Sequence, residues 1–184
     1  MNKFPAVVLI LCGFVSQFIY AQGNSHSDPA GIGVTVNSII QIGSVATSNY
    51  DVAITVQETV RGDAAFNLIK ASDEAASSPG DGHEYLLASI RFELNGRTVS
   101  ETSNFALVSS PFQWVVYSSS FSQYDGASIA APDPALKGSV ASGETKEGWL
   151  VFEVEQDDAE PMLMFDPSTG GAQGRGKKLF FKLY

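Results

Sequence analysis

Residues 84–94, EYLLASIRFEL, decide the class of fold. The apolar residues Leu86, Ala88, Ile90, Phe92 and Leu94 recur at every second position, and Tyr85, Ser89, Arg91 and Glu93 fill the alternate ones. Successive side chains of a strand point to opposite faces, so this pattern predicts a half-buried antiparallel strand. A helix would bring its apolar residues back every three or four positions instead.

Outward from this stretch the same period returns. In residues 51–60, DVAITVQETV, Val52, Ile54 and Val56 oppose Ala53, Thr55 and Gln57. In residues 149–155, WLVFEVE, Leu150, Phe152 and Val154 share one face; Trp149, Val151, Glu153 and Glu155 share the other. That second face changes from Trp to Glu, so the strand is expected to run from cover into water. Trp149 is expected to pack in the core or at its edge, with a ligand platform as the alternative. Ser142, Gly143, Glu144 and Thr145 ahead of it read as a turn. Weaker strand candidates are 32–40, 104–108, 113–118, 161–165 and 178–184. Residues 62–72, GDAAFNLIKAS, break the period and predict a short helix in the crossover between the second and third strands. Asp63 is placed to cap it, and Phe66 and Ile69 lie one turn apart. Long loops are expected at 71–83 and 122–138. About eight short strands predict an all-β fold, a sandwich of two antiparallel sheets, with a closed barrel as the alternative.

The first 21 residues differ from the rest. Lys3 supplies a positive charge, PAVVLILCGFVSQFIYA follows, and no acid occurs before Asp28. This is a secretory leader pattern with cleavage expected after Ala21. A retained anchor is the alternative, but Gly13, Ser16 and Gln17 interrupt an apolar run of about 17 residues where a span needs roughly 20. Cys12, the only cysteine, follows Leu11, where lipid attachment wants a small residue. It reads as part of the leader core rather than as an anchor. A secreted protein, extracellular or periplasmic and without disulfides, is therefore expected. Residues 22–31, QGNSHSDPAG, read as a flexible tail, and 32–184 as one domain.

The net charge is −9. The leader holds one lysine and no acid, so without it the charge is −10. Such a surface argues against nucleic acid and against anionic membrane faces.

Nothing in the sequence builds a catalytic constellation, and no enzyme is expected. The two histidines are His26 in the tail and His83 at a loop-to-strand junction, and no Gly-x-Ser-x-Gly elbow accompanies a serine. Asp157, Asp158 and Glu160 could pair for acid–base work, but a charge run at a strand end reads as a solvated turn. No His/Cys cluster suits zinc. Calcium would need the loop carboxylates Asp125, Asp133, Asp157, Asp158 and Asp166 to converge. No metal or cofactor is expected. The segment 170–178, GGAQGRGKK, lacks the phosphate-loop pattern and reads as a flexible loop with a basic cluster of Arg175, Lys177 and Lys178. Tyr117, Phe121 and Tyr124 are candidates for an aromatic contact patch, or for packing under the long loop.

Three elements in order, VRGDAAFNLIKAS, GHEYLLASIRFEL and SGETKEGWLVFEVEQDD, resemble a family of bacterial exported domains of unknown function. Gly62, Asp63, Ala65 and Phe66 carry the first, Gly82, Glu84 and Tyr85 the second, and Gly143, Glu144, Gly148 and Trp149 the third. The resemblance covers roughly residues 32–165. It implies an immunoglobulin-like β-sandwich, related in fold to the mycobacterial immunoprotective extracellular antigen, and secreted or lipid-anchored members. It implies no catalytic residues. The expectation is thus a non-catalytic exported module that binds a protein or a cell-envelope component through its loops. The alternatives are a hydrolase acting on polysaccharide or lipid, or a carrier with a small-ligand cavity between the sheets.

Overall fold

The computed structural model describes residues 22–43, 46–108, 112–169 and 174–184. The leader with Cys12, and residues 170–173 of the glycine-rich segment, lie outside them. The elements in chain order are β1 (Thr35–Ile42), β2 (Ser48–Arg61), α1 (Gly62–Ser72), β3 (His83–Gly96), β4 (Phe105–Leu107), β5 (Trp114–Tyr117), β6 (Gly138–Val140), β7 (Glu144–Glu155), β8 (Met162–Phe165), β9 (Gly174–Gly176) and β10 (Leu179–Lys182). They form a five-stranded sheet in the order β7-β3-β2-β1-β9, a three-stranded sheet β10-β8-β5 and a two-stranded sheet β4-β6. Each of these strand pairs is antiparallel.

The alternating residues are the reason for this architecture. Leu86, Ala88, Ile90, Phe92 and Leu94 of β3 face one way, together with Val52, Ile54 and Val56 of β2 and Leu150, Phe152 and Val154 of β7. They meet Trp114, Val116, Leu163, Phe165, Leu179 and Phe181 from the smaller sheet in one continuous core. The result is an all-β antiparallel sandwich with, among the described residues, one helix, in the β2–β3 crossover, as the sequence predicts. The two strands missing from the expected eight, β6 and β9, are three residues long and contain glycine, too short for a period to register.

The outer face of the large sheet is also covered. Tyr85, Leu87 and Val151 lie under Ala65 and Ile69 of α1 in a second cluster, with Val60, Phe66 and Trp149 packed against it. Val60 reaches this face because the β2–β3 register shifts between Val56 and Glu58. The extra residue reverses which side of the sheet the following side chains take. Two expectations are corrected here. Asp63 does not cap α1: Arg61 holds the N-cap position, and no side chain bonds there. Residues 22–31 are not a free tail, because backbone bonds tie them to β10. Phe180 N–H donates to the Gly23 carbonyl at 2.8 Å, Ala30 N–H to Phe180 at 2.9 Å and Lys182 N–H to Ala30 at 2.8 Å. Ala30 is fully buried in the main core. A polar composition says how a segment is solvated, not whether its backbone has partners.

Candidate functional site

One corner of the sandwich gathers the residues of the first two motif elements. β2 ends at Arg61 with extended backbone, and the helix starts at once. That reversal is made at Gly62, whose φ of 62° is left-handed. A side chain there would also crowd Glu84, since an added Cβ would lie 3.0 Å from Glu84 Oε2. The Glu84 carboxylate is held by Arg61, at 2.6 Å from Nε and 2.5 Å from Nη2. Arg61 Nη1 donates onward to the Asp158 carbonyl at 2.8 Å. The guanidinium therefore ties the end of β2, the start of β3 and the turn after β7 together. Tyr85 lies beneath the helix, its hydroxyl donating to the Ser77 carbonyl at 3.2 Å and its ring 6.0 Å from that of Phe66. Replacing Arg61 with Ala leaves Glu84 unpaired in a partly covered site and is expected to lower stability by about 2–3 kcal/mol. Urea unfolding of the variant measures it.

Beside this corner lies a polar groove of about 420 Å³. One wall is the loop after β5, with Ser118, Ser120, Ser122, Gln123 and Asp125; the other carries His83, Glu153 and Glu155 from β3 and β7. The loop is braced from within. Ser118 N–H donates to the Ser122 carbonyl at 2.8 Å, and Tyr124 N–H to Val116 at 2.9 Å. Its anchor is Asp158. This residue is only 5% exposed, and it accepts from the Tyr124 hydroxyl at 2.8 Å, Ser119 N–H at 3.2 Å and Glu160 N–H at 3.3 Å. Burial pushes its carboxyl pKa up, but the bonds from Tyr124, Ser119 and Glu160 outweigh that and hold it below the usual range. Burial and the same bond push the Tyr124 phenol well above its ordinary value. The reading of Asp158 as part of a solvated turn is thereby corrected; its neighbours Asp157 and Glu160 are exposed.

The depressed value fixes a pH dependence. The ionised Asp158 contributes stability above the unfolded carboxyl pKa of about 3.9 and loses it as pH falls through its folded value. Replacing Tyr124 with Phe is expected to lower stability by about 1–2 kcal/mol at pH 7. The difference between variant and wild type should shrink as pH falls below about 4. Thermal unfolding of both proteins across that range checks it.

The three candidate contact aromatics do not form one patch. Tyr124 packs against the main core and is committed to Asp158. Tyr117 and Phe121 stack, their centroids 4.9 Å apart and 16° from parallel, and His26 lies 5.0 Å from Phe121. Phe121 is 51% exposed and has a φ of 65°, unusual for a bulky residue. It stands between two serines that line the groove. The carboxylates considered for calcium do not converge either: among the described residues no three metal-ligating groups come together. Asp158 serves Tyr124, and the buried Asp166 accepts from Ser168 N–H at 2.9 Å and lies 3.3 Å from Lys178 Nζ. His83 Nδ1 lies 3.0 Å from the Asp81 carbonyl.

The third motif element works through close approach. The Glu144 carboxylate accepts from Ala141 N–H at 2.8 Å and closes the turn around Gly143. Gly148 sits under the segment 133–136, whose backbone crosses it. Trp149 N–H donates to the Pro134 carbonyl at 2.8 Å, and Leu136 N–H to the Trp149 carbonyl at 2.9 Å. Trp149 itself is half-buried, against the second cluster.

Fold and site together define an all-β antiparallel sandwich that carries a polar groove and a helix-backed corner of glycines, an arginine and a glutamate. The chain belongs to the family described as a domain of unknown function, DUF4352, whose profile matches residues 34–176. Among solved structures, a crystal structure of a candidate lipoprotein from Bacillus subtilis is similar at 15% identity and a TM-score of 0.49, over 71% of this chain and 35% of that one. The chain thus spans about a third of that protein's length. No curated protein matches it.

Proposed function

We propose that the chain is an exported, non-catalytic module, an immunoglobulin-like sandwich related in fold to the mycobacterial immunoprotective extracellular antigen, that binds a protein or a cell-envelope component. The observation that carries this reading is the groove beside the Ser118 to Gly126 loop. It sets the hydroxyls, amide and carboxylate of the loop against the carboxylates of β7, with the exposed ring of Phe121 on the same loop. Its charged lining is Asp125, Glu153 and Glu155, which favours a cationic or hydroxyl-rich partner over a polyanion. The leader pattern of residues 1–21 supports export. The engagement of His83 with a backbone carbonyl, rather than with a nucleophile, supports binding over catalysis.

The test is retention of the purified domain on a cell-envelope fraction. Reversing the exposed charges, with Asp125→Lys and Glu155→Lys together, is expected to abolish retention and leave the melting temperature unchanged. Equal retention would mean that the groove is not the binding surface. Turnover of glycan or ester substrates by the wild type would favour the hydrolase reading instead.

A further inference from the structure

A second cavity, independent of the groove, lies on the outer side of β7. Its volume is about 180 Å³. Its origin is the path of the long loop. The loop pairs with β7 at Gly126–Phe152 and again at Ala135–Trp149. Between these two pins the chain bows away from the strand, and the space under the bow is the pocket. Ala127, Ile129, Ala131 and Leu136 form its loop side, and Trp149 and Val151 its strand side. Trp149 turns its N–H and C=O away from β3, toward the loop. In an antiparallel strand Val151, two residues on, faces the same way.

The side chains of the walls are mostly apolar. Alanine, isoleucine and valine side chains surround one indole, the leucines of the lining turn into the main core, and the single charged side chain is Lys137. Lys137 is exposed and has no ion-pair partner among the described residues. An apolar cavity of about 150 Å³ accepts benzene, so this one holds a single ring or a short branched chain. A cation at the mouth of the pocket favours an anion and repels an amine. We propose that this pocket binds a small apolar carboxylate, its ring or branched chain against Trp149 and its carboxylate at Lys137. The same chemistry is offered by a free aromatic acid and by the C-terminal residue of a peptide.

The test uses residues 22–184 and three isosteric probes: phenylacetate, 2-phenylethanol and phenethylamine. The chain has two tryptophans, and Trp114 is fully buried, so a ligand in the pocket reports through Trp149. Phenylacetate is expected to change the fluorescence saturably. The neutral alcohol should bind roughly tenfold more weakly, and the amine more weakly still. Calorimetry repeats each titration, so that a silent indole is not mistaken for an empty pocket. Lys137→Gln should erase the preference for phenylacetate over the alcohol while leaving alcohol binding unchanged. Ala131→Phe should fill the pocket and abolish binding of both, with the melting temperature preserved. A short peptide ending in Phe, with its carboxylate free or amidated, separates the two sources. Tighter binding of the free-ended peptide than of phenylacetate points to a chain end, and the reverse to a free acid. No saturable binding of phenylacetate or of the free-ended peptide, equal affinity for the three small probes, or indifference to Lys137→Gln overturns the proposal. None of these results depends on the groove.

Discussion

Replacing Phe165 with Ala is expected to lower the stability of the fold by about 4 kcal/mol, by the combined loss of transfer and packing. Phe165 lies on the central strand of the smaller sheet, paired with Leu179 of β10 on one side and Trp114 of β5 on the other. It is fully buried, and its ring lies 4.6 Å from Trp114, 5.8 Å from Phe92 and 6.2 Å from Phe105. The contacts with Phe92 and Phe105 are edge-to-face and cross from one sheet to the other elements of the core, an arrangement that contributes beyond area burial. Truncation leaves a cavity where the layers meet, and rigid sheets cannot collapse to fill it. At roughly 2–4 °C per kcal/mol, the melting temperature should fall by about 8–16 °C. A loss below about 1 kcal/mol would mean that the sheets do not pack at this point.

The second large effect is expected at Gly148. An added Cβ would lie 2.7 Å from Leu136 N, 2.8 Å from the Ala135 carbonyl carbon and 2.8 Å from Pro134 O. These are backbone atoms, so no side-chain rotation relieves the clash. The 133–136 segment must lift from β7, which breaks the two bonds to Trp149 and exposes Leu136, now 1% accessible. Two hydrogen bonds at about 1 kcal/mol each and partial exposure of a leucine give a loss of about 3 kcal/mol for Gly148→Ala. Gly82→Ala is the control. Nothing lies within 4 Å of its Cβ position, and only its φ of 74° resists a side chain. About 1 kcal/mol is expected there. Denaturant midpoints of the two variants separate close approach from backbone strain.

The fold was legible where a strand keeps one buried face. Leu86 to Leu94 and Val52 to Val56 alternate because water lies beyond the opposite side of the sheet along much of their length. Reading weakened where a strand is covered twice. Tyr85, Leu87 and Val151 are apolar on the outer face because α1 and the long loop lie over them, and that cover is built from residues distant in sequence. The motif glycines and Glu84 could be quoted from sequence, but their work could not. The partner of Glu84 is 23 residues away, and the backbone over Gly148 comes from a loop with no period. The burial of Asp158 is hidden in the sequence for the same reason. A run of acids looks solvated, and nothing local shows that one of them is bonded to a tyrosine 34 residues earlier. Trp149 falls between the two expectations for it, half-buried against a cluster and open to a pocket.

Binding through the groove beside the Ser118 to Gly126 loop is the central proposal. Amide chemical-shift mapping on the isotope-labelled domain, with a solubilised cell-envelope fraction added, tests this most directly. Binding there predicts shifts concentrated at residues 118–126, at His83 and at Glu153 to Glu155, with the β1–β9 end of the large sheet unmoved. Shifts confined to that opposite end would contradict it, as would an unchanged spectrum.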